Sequence, residues 1–357
     1  TKTCRKSSSD INIHNVGKRK MQDADRDDKA EQFENNEYVL RECFGPRPGY
    51  RIYLLDYANQ ELRYFAWHCG DPQMVQWFAE GQDIHQWTGN MVVQVLTDKY
   101  KQIREALRSR VFWDNIDRRD LKEEVLNQAK RCYDFFGGAK VRQHLTDDEK
   151  HVIINESTAR LDRSIFLMEA SSDEIRRSIG KTQNFRIIYG GGAEKGAQVW
   201  RVELGIELPL PELPDLVYHS TFPTVKPFQN EVVNELRTTG RVYTAYGYPL
   251  PVHPEELYAG VDYICQGGAS QQCGLALVRC YQYCVAYNVH QASIGSSLRI
   301  YLLFEKHDEI AFEASIGVPE YHILNLRSIM EDNGLDGLVT PVDIEVCDTD
   351  WAHPVPF

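Results

Sequence analysis

Two apolar, strand-like segments that lie far apart in the sequence each stop abruptly at an acidic residue. Residues 50–56 (YRIYLLD) are aromatic and aliphatic and end at Asp56, which is typical of a buried strand whose end faces a site or solvent. Two further apolar-rich runs, residues 297–305 and 309–313, flank the tripeptide KHD at 306–308. This pattern predicts a β-hairpin with its tip at the tripeptide. A carboxylate therefore stands at a strand end near each end of the chain.

The chain between these strands is predicted to be mainly helical. Asp71 comes directly before a proline, and Gly81 follows ten residues later, as the N-cap, the first helical residue and the C-terminal stop of a short helix. Residues 90–176 are rich in Lys, Arg, Glu, Leu and Gln, which favours several further helices. Five prolines between residues 209 and 227 interrupt the helical pattern afterwards.

Composition bounds the class of protein. With 357 residues, 42% apolar and 11% aromatic, the chain can bury a core in two or three structural units. The 40 basic and 52 acidic residues give a formal net charge of -12, but nucleic-acid binding depends on where the cations lie rather than on the total. Residues 1–20 carry six Lys or Arg and one Asp, and residues 21–37 carry seven acidic side chains, which is typical of a solvated loop.

The cysteines indicate a reducing, intracellular compartment. There are nine of them, with no CxxC pair and no histidine at zinc-ligand spacing. Cys273, Cys280 and Cys284 are expected to be small buried apolar residues of a helix. The N-terminus has no signal-peptide pattern, and no stretch approaches the roughly 18 apolar residues of a membrane span. We therefore expect a cytoplasmic protein with no membrane partner.

The two strand-end aspartates, Asp56 and Asp308, suit a divalent metal site. Magnesium prefers oxygen ligands and is typically held by one or two carboxylates together with substrate phosphates. Two such ions can activate an attacking hydroxyl and stabilise a leaving oxygen in phosphoryl transfer. Most strand-terminal aspartates only form turns, so this interpretation needs support from other motifs. Glu61, five residues after Asp56, adds little by itself, because it could contact a ribose or only cap a helix.

Support comes from one predicted helix. Ser171 and Glu174 have capping-box spacing and open a helix that runs toward Tyr189. Four side chains recur on it every four residues and form one stripe about 18 Å long: Arg177, Lys181, Phe185 and Tyr189. Two cations followed by two aromatic rings suit a nucleoside triphosphate. The alternative is an ordinary amphipathic helix with solvated cations and core aromatics.

Taken together, these segments resemble family A DNA polymerases, the group of bacterial DNA polymerase I and related phage enzymes. DYANQELR (56–63) is similar to the family's motif A, RSIGKTQNFRIIYG (177–190) to motif B and KHDE (306–309) to motif C. The flanking segments agree in order and separation: TCRKSSSDINIHNV (3–16), DIH (83–85), QG (266–267) and the C-terminal DTDWAHPVPF. The resemblance therefore runs from the first residues to the last.

The resemblance implies an α+β polymerase right-hand fold, with an antiparallel-sheet palm and a helical fingers subdomain. Residues 1–70, with a charged loop at about 17–37, would form the first part of the palm. Residues 71–241 would form the fingers, with a helical insertion at about 90–170, and residues 242–357 the second part of the palm with the motif C hairpin. No thumb is expected in this chain. The thumb, and an exonuclease where one exists, would come from upstream sequence or from a separate polypeptide.

The implied activity is template-directed addition of dNTPs to a primer 3′-hydroxyl with two Mg²⁺ ions, for which Mn²⁺ could substitute. Asp56, Asp308 and the Tyr57 carbonyl would hold the metals, and Glu309 would support them. Lys181 would bind the triphosphate and act as general acid toward pyrophosphate. The other implied nucleotide contacts are Arg177, Phe185, Tyr189, His85, Gln60 and Glu61, of which Glu61 would exclude a ribose 2′-hydroxyl. The implied primer-template contacts are Arg5, Asn15, Gln266 and His307.

Two places depart from the family pattern. Where the family usually has an arginine and an asparagine before the QG pair, this chain has Tyr258 and Asp262, and a carboxylate beside DNA puts tight minor-groove contact in doubt. Two alternatives stay open. One is a single-subunit RNA polymerase relative, which Glu61 and the HDE sequence disfavour. The other is a catalytically silent polymerase fold that binds DNA or serves assembly.

Overall fold

The computed structural model describes residues 41–109, 124–138 and 146–357. These residues form two units, one from residues up to Trp67 together with Glu235–Phe357 and the other from His68–Asn234. Arg5, Asn15 and the charged loop at 17–37 lie outside the described residues. In the described part of the chain, no helix is both long and apolar enough to cross a membrane.

An antiparallel sheet forms the centre of the first unit. Its strands run in the order β4-β5-β1-β6-β7, and each neighbouring pair is antiparallel. The strands are β1 (Tyr50–Tyr57), β4 (Ile300–Lys306), β5 (Glu309–Ser315), β6 (Val342–Cys347) and β7 (Val355–Pro356). A separate two-stranded sheet contains β2 (Arg241–Tyr243) and β3 (Pro249–Pro251). The strand predicted at 50–56 and the hairpin at 297–313 are confirmed.

The sheet has an apolar cluster on each face. In β1, Tyr53, Leu55 and Tyr57 pack with residues of two long helices on one face, and Ile52 and Leu54 pack with Trp351 on the other. This arrangement follows from the alternation of side chains along a strand. The helices covering the first face are α10 (Gly260–Ser293) and α11 (Glu320–Glu331). The three cysteines predicted to be core residues, Cys273, Cys280 and Cys284, are buried there.

The second unit is helical. Its described helices, together with the two that carry the chain between the units, are α1 (Gln60–Cys69), α2 (Pro72–Ala79), α3 (Ile84–Arg108), α4 (Glu124–Tyr133), α5 (Asp147–Glu169), α6 (Asp173–Ile188), α7 (Ala193–Leu204), α8 (Leu213–Thr221) and α9 (Val225–Thr239). The chain crosses between the units within α1 and α9. The predicted caps of α2 are confirmed, because the Asp71 side chain accepts hydrogen bonds from the Gln73 and Met74 amides and Gly81 has a φ of 70°.

The predicted cap of α6 is wrong by one residue. Ser172, not Ser171, is the N-cap, and its hydroxyl accepts a hydrogen bond from the Ile175 amide. The Ser171 hydroxyl instead donates to the Met168 carbonyl at 2.6 Å and so satisfies the end of α5. Adjacent serines at a helix-to-helix junction can divide the two capping tasks, and the sequence spacing alone does not say which serine takes which.

Two glycines let α3 and α6 cross with their backbones almost in contact. A Cβ atom added to Gly180 would lie 1.9 Å from the His85 carbonyl oxygen, and one added to Gly89 would lie 1.7 Å from the Arg176 carbonyl oxygen. Real Cβ atoms do not approach backbone oxygens so closely. The two glycines therefore fix how the stripe-bearing helix α6 packs on the N-terminal turns of α3.

We expect Gly180→Ala to lower the free energy of unfolding by about 1–3 kcal/mol, because overpacking forces the two helices apart. Urea unfolding followed by circular dichroism measures the change. The matched control is Gly274→Ala, since Gly274 lies inside α10 with no atom within 4 Å of an added Cβ, and alanine there should stabilise by up to about 1 kcal/mol. Wild-type stability in Gly180→Ala would contradict the close helix crossing.

Candidate functional site

Asp56 lies at the C-terminal end of β1 and is half-buried. The backbone just after it is held on both sides, because the Tyr57 amide donates to the Asp308 carbonyl at 3.2 Å and the Ala58 amide donates to the Pro341 carbonyl at 2.9 Å. The end of β1 is thus fixed next to the tip of the β4–β5 hairpin. Asp56 and Asp308, distant in sequence, belong to adjoining segments of one sheet.

The hairpin tip is a two-residue turn formed by His307 and Asp308. His307 is exposed and has a φ of 58°, a left-handed conformation that histidine tolerates better than most side chains. Its carbonyl accepts a hydrogen bond from the Cys273 thiol at 3.4 Å. This contact ties the turn to α10, so that the backbone of motif C rests on the long helix.

The strand register places three carboxylates in one row across the sheet. Glu309 of β5 and Asp343 of β6 are the residues directly opposite Asp56, and directly opposite residues in antiparallel strands point to the same face. Glu309 is 3% exposed, whereas Asp343 is exposed. Glu309 thus lies next to Asp56 in the sheet, and its supporting role stays a prediction. Sequence reasoning missed Asp343, although a polar residue amid the apolar ones of a strand (VDIEV) is a visible signal.

A cluster of cations lies beside this acidic row. The guanidinium of Arg41 and the ammonium of Lys306 lie 4.2 and 5.0 Å from the Trp351 ring, within the range of cation–π attraction. Burial lowers the pKa of Arg41, and the charge of Glu309 opposes that shift. Trp351 therefore holds two cations near the acidic end of the sheet.

The oxygen ligands at the end of β1 and at the hairpin tip fit a magnesium ion. The Asp56 and Asp308 carboxylates and the Tyr57 carbonyl are all oxygen ligands, and Mg²⁺ commonly uses one or two carboxylates and completes its octahedron with water and substrate phosphates. Across residues 41–109, 124–138 and 146–357, no three His, Cys, Asp or Glu side chains are grouped to hold a metal by themselves. A site of two carboxylates that is completed by substrate is consistent with both observations.

The turn from β1 into α1 determines where Glu61 and Gln60 point. Asn59 has a φ of 55°, and α1 begins directly after it with Gln60. Glu61 is half-buried in the first helical turn. Gln60 is 4% exposed, and its amide donates to the Gln272 side chain at 3.0 Å. The prediction that Gln60 contacts the nucleotide is therefore corrected, because its side chain is used inside the protein.

In the second unit, the four residues of the predicted stripe lie on a solvent-accessible side of α6. Arg177 and Lys181 are exposed and Phe185 and Tyr189 half-buried, whereas most of the helix residues between them from Ile179 onward are buried. The Phe185 and Tyr189 rings stack with centroids 5.6 Å apart. The stripe thus presents two cations followed by an aromatic platform.

Arg177 is held in place by an ion pair. Its Nε donates to Asp83 Oδ2 at 2.5 Å, and Asp83 is also the N-cap of α3, where it accepts from the His85 and Gln86 amides. Burial opposes ionisation of Asp83, but the hydrogen bonds from Arg177 and Gln86 outweigh it and lower the pKa of this carboxyl. Asp83 of the DIH segment therefore positions a cation of motif B.

His85 is a neutral, oriented side chain. It is 2% exposed, its ring lies 5.6 Å from that of Phe185, and its Nδ1 lies 3.1 Å from Asn184 Nδ2. Because an amide nitrogen only donates, Nδ1 must accept, which leaves the proton on Nε2. Burial lowers the pKa of His85 to about 4. A phosphate contact by His85 would thus be a neutral N–H hydrogen bond, not an ion pair.

The predicted primer-template residues are only partly within the described chain. Gln266 lies on α10 one helical turn after Asp262, and both are half-buried on the same side of the helix. Tyr258, on the preceding 3₁₀ helix, is exposed. The carboxylate of Asp262 thus stands beside Gln266, as the sequence departure suggested. Arg5 and Asn15 lie outside the described residues.

Known proteins resemble this chain in sequence. The sequence model of DNA polymerase family A matches residues 1–112. A DNA polymerase of Mycobacterium phage L5 is 21% identical over 323 residues, which are 90% of this chain and 38% of the phage protein. DNA polymerase I of Chloroflexus aurantiacus is 25% identical over 319 residues, 86% of this chain and 24% of that protein. The chain thus spans less than half the length of these relatives.

The fold is also known from a solved structure. The polymerase domain of Pol1 from M. smegmatis, in complex with DNA primer-template and dNTP, matches with a TM-score of 0.63 and 17% identity, covering 99% of this chain and 46% of that one. The α+β architecture, with its antiparallel sheet and helices, is therefore the fold of a polymerase domain. In sequence, the chain is similar to DNA polymerase family A over residues 1–112 and to DNA polymerases over most of its length.

Three histidines with lowered pKa values predict how stability depends on pH. Burial lowers the pKa of His85, His68 and His219 to about 4 each, below the ordinary value of 6.5. Between pH 6.5 and 4 the unfolded chain therefore binds more protons than the folded protein does. The stability that these neutral histidines contribute above pH 6.5 is lost as the pH falls toward 4. Urea unfolding at pH 7 and 5.5 measures how far the free energy of unfolding falls between the two pH values. We expect this fall to be about 1 kcal/mol smaller in His85→Gln than in the wild-type protein. An equal loss in both would contradict a neutral His85.

Proposed function

We propose that the chain catalyses template-directed addition of deoxynucleotides to a primer 3′-hydroxyl with the help of two divalent metal ions. The observation that supports this proposal most directly is the pairing of the end of β1 with the tip of the β4–β5 hairpin, which joins Asp56 to the Asp308 segment through the Tyr57–Asp308 backbone hydrogen bond of 3.2 Å. Phosphoryl transfer depends mainly on such rigid positioning and on electrostatic stabilisation.

In this reaction the 3′-oxygen forms a bond to the α-phosphorus, and the bond from that phosphorus to the oxygen bridging to the β-phosphate breaks. The primer hydroxyl gives its proton to solvent water, and pyrophosphate leaves. Asp56, Asp308 and the Tyr57 carbonyl would hold two Mg²⁺ ions, or Mn²⁺ in their place, which supply charge neutralisation and activation of the hydroxyl. Lys181, exposed on α6, would bind the triphosphate and give a proton to the leaving pyrophosphate.

The rest of the stripe would recognise the nucleotide. Arg177 would bind phosphate oxygens with the guanidinium that Asp83 orients, and His85 would donate from Nε2. The stacked rings of Phe185 and Tyr189, 5.6 Å apart, would lie against the new base pair. Glu61 in the first turn of α1 would occupy the space that a ribose 2′-hydroxyl needs.

Primer-template DNA is the proposed macromolecular partner. The M. smegmatis domain is described in complex with primer-template and dNTP, and this chain has polar residues at two corresponding motifs. Gln266 would contact the minor groove, and His307, exposed at the hairpin tip, would contact the primer end. Arg5 and Asn15 of the basic N-terminal segment would add further contacts.

Asp262 favours one second candidate, a catalytically silent polymerase fold that binds DNA or serves assembly. Its carboxylate lies one turn from Gln266 and would repel a phosphate backbone. Titration of a labelled primer-template, followed by addition of Mg²⁺ and dNTP, separates the two functions. Extension supports the enzyme, and tight binding without extension supports the silent module.

We expect Asp56→Asn and Asp308→Asn each to lower the rate of primer extension by at least about 100-fold, since a neutral amide binds a divalent cation weakly. Single-turnover extension at saturating dNTP measures the rate. The control is Asp348→Asn, because Asp348 pairs with Arg51 at the surface of the same unit. Rates near wild type in either site variant would refute the two-metal assignment.

We expect Glu61→Ala to raise ribonucleotide incorporation relative to deoxynucleotide incorporation by about 10- to 100-fold, because the space for a 2′-hydroxyl opens. The ratio of kcat/KM values for ATP and dATP on one template measures it. Glu320→Ala is the matched control, since Glu320 is an exposed acidic residue in the first turn of α11. An unchanged ratio would exclude Glu61 as the gate.

A further inference from the structure

A buried glutamine of α10 uses its whole hydrogen-bonding capacity within the first unit. Gln272 is 1% exposed. Its Oε1 accepts from Gln60 Nε2 at 3.0 Å and from the Tyr64 hydroxyl at 3.1 Å. Its Nε2 donates to the Met330 carbonyl at 3.1 Å and to Thr340 Oγ1 at 2.6 Å. An amide can make two bonds at each end, so every position is used.

This pattern fixes the orientation of the amide. If the Gln272 amide were inverted, its NH₂ group would meet the Gln60 NH₂ group, and its carbonyl oxygen would meet the Met330 carbonyl oxygen. The Met330 carbonyl cannot donate, so it determines which end of the amide points toward α11. The bonds to the Gln60 and Tyr64 side chains then follow from that choice.

The Met330 carbonyl also accepts a hydrogen bond from a third residue of the segment that contains Gln60 and Tyr64. The Tyr57 hydroxyl donates to it at 2.7 Å. The side chains of Tyr57, Gln60 and Tyr64 thus all donate hydrogen bonds to one pair of groups, the Gln272 amide and the Met330 carbonyl. We call this pair the Gln272 hub. Tyr57 directly follows Asp56, and Gln60 directly precedes Glu61. The two proposed reaction residues therefore each lie next to a residue that the hub holds.

The hub acts on a segment whose backbone needs support. Between Tyr57 and Gln60 the chain turns through Asn59, which has a φ of 55°, and a non-glycine residue in this conformation costs free energy that surrounding contacts must supply. The same side of α1 also packs closely on α10, because a Cβ added to Gly268 would lie 2.7 Å from the Tyr64 ring. Helix α1 is therefore held against α10 both by hydrogen bonds and by contact.

We propose that Gln272 is a positioning residue that sets the strand-to-helix turn carrying Asp56 and Glu61, and through it the discrimination against ribonucleotides. The inference rests on the proposed function. Gln272 touches neither the nucleotide nor a metal in this proposal. Its effect passes through the Gln60 side chain to the first turn of α1, where Glu61 must occupy a defined volume beside the sugar.

The test compares Gln272→Leu with Asn288→Leu. Asn288 is the matched control because it is a second amide on α10, about 24 Å farther along the helix, and it too bonds in both directions, to the Ile300 backbone at 2.7 and 2.9 Å. Two readouts are used. One is the ratio of kcat/KM for ATP and dATP, and the other is hydrogen–deuterium exchange of the peptide covering residues 57–66.

We expect Gln272→Leu to raise ribonucleotide use relative to deoxynucleotide use by about tenfold, since a displacement of about 1 Å can change rates by up to two orders of magnitude. Exchange in residues 57–66 should become faster in Gln272→Leu and stay at the wild-type rate in Asn288→Leu. Gln272→Glu, which keeps both acceptor bonds and loses donation to Met330 and to Thr340, should give intermediate values. The double variant Gln60→Leu/Gln272→Leu should be no worse than Gln272→Leu alone, because both changes break the same link.

The outcomes separate the two proposals. If the wild-type protein does not extend a primer, the proposed function fails. If it extends, and Gln272→Leu matches Asn288→Leu in both the nucleotide ratio and the exchange of residues 57–66, the positioning role is refuted while the proposed function stands. Faster exchange with an unchanged ratio also refutes it, because Gln272 would then stabilise α1 without setting selectivity.

Discussion

The arrangement of the first unit depends on the register of β1 between β5 and β6. With Asp56 opposite Glu309 and Asp343, β1 points Asp56 to the face of Ile52 and Leu54 rather than to the face covered by α10. A slip of one residue would move Asp56 into the apolar core and bring Leu55 out of it. The apolar clusters on both faces of the sheet thus select the register, and the register selects where the carboxylate is presented.

Two buried carboxylates of β5 add to this selection. Glu309 and Glu313 are each 3% exposed, and Glu313 accepts from the Arg47 backbone amide at 2.8 Å and from its Nε at 2.7 Å. A buried carboxylate without such donors would be costly, so a shifted strand would lose these bonds as well as its apolar contacts. Buried ion pairs contribute little net stability, but they can specify one arrangement over its neighbours.

Local patterns in the sequence predicted the parts of the structure that are local. The strand ending at Asp56, the hairpin tip at residues 306–308, the Asp71 cap and the helix that carries the four-residue stripe each depend on spacing within one element. Asp343 and the Gln272 hub could not be found in this way, because they arise from pairing between segments that only the folded chain brings together. Gln60 was misassigned for the same reason, since its acceptor, Gln272, lies on a helix near the other end of the sequence.

The two cations of the α6 stripe are not equivalent. Arg177 is already bound through Nε to Asp83, which removes part of its attraction for a phosphate but fixes its plane. A guanidinium has five N–H donors in a rigid fork, so its terminal nitrogens can bind phosphate oxygens without breaking that pair. Lys181 has a flexible stem and three rotatable donors, which suits a group that must follow the charge developing on the leaving pyrophosphate. The neutral His85 beside them adds a donor without adding charge. The second unit therefore combines one oriented cation, one adaptable cation and one neutral donor, a division that would suit the proposed binding of a triphosphate and release of pyrophosphate.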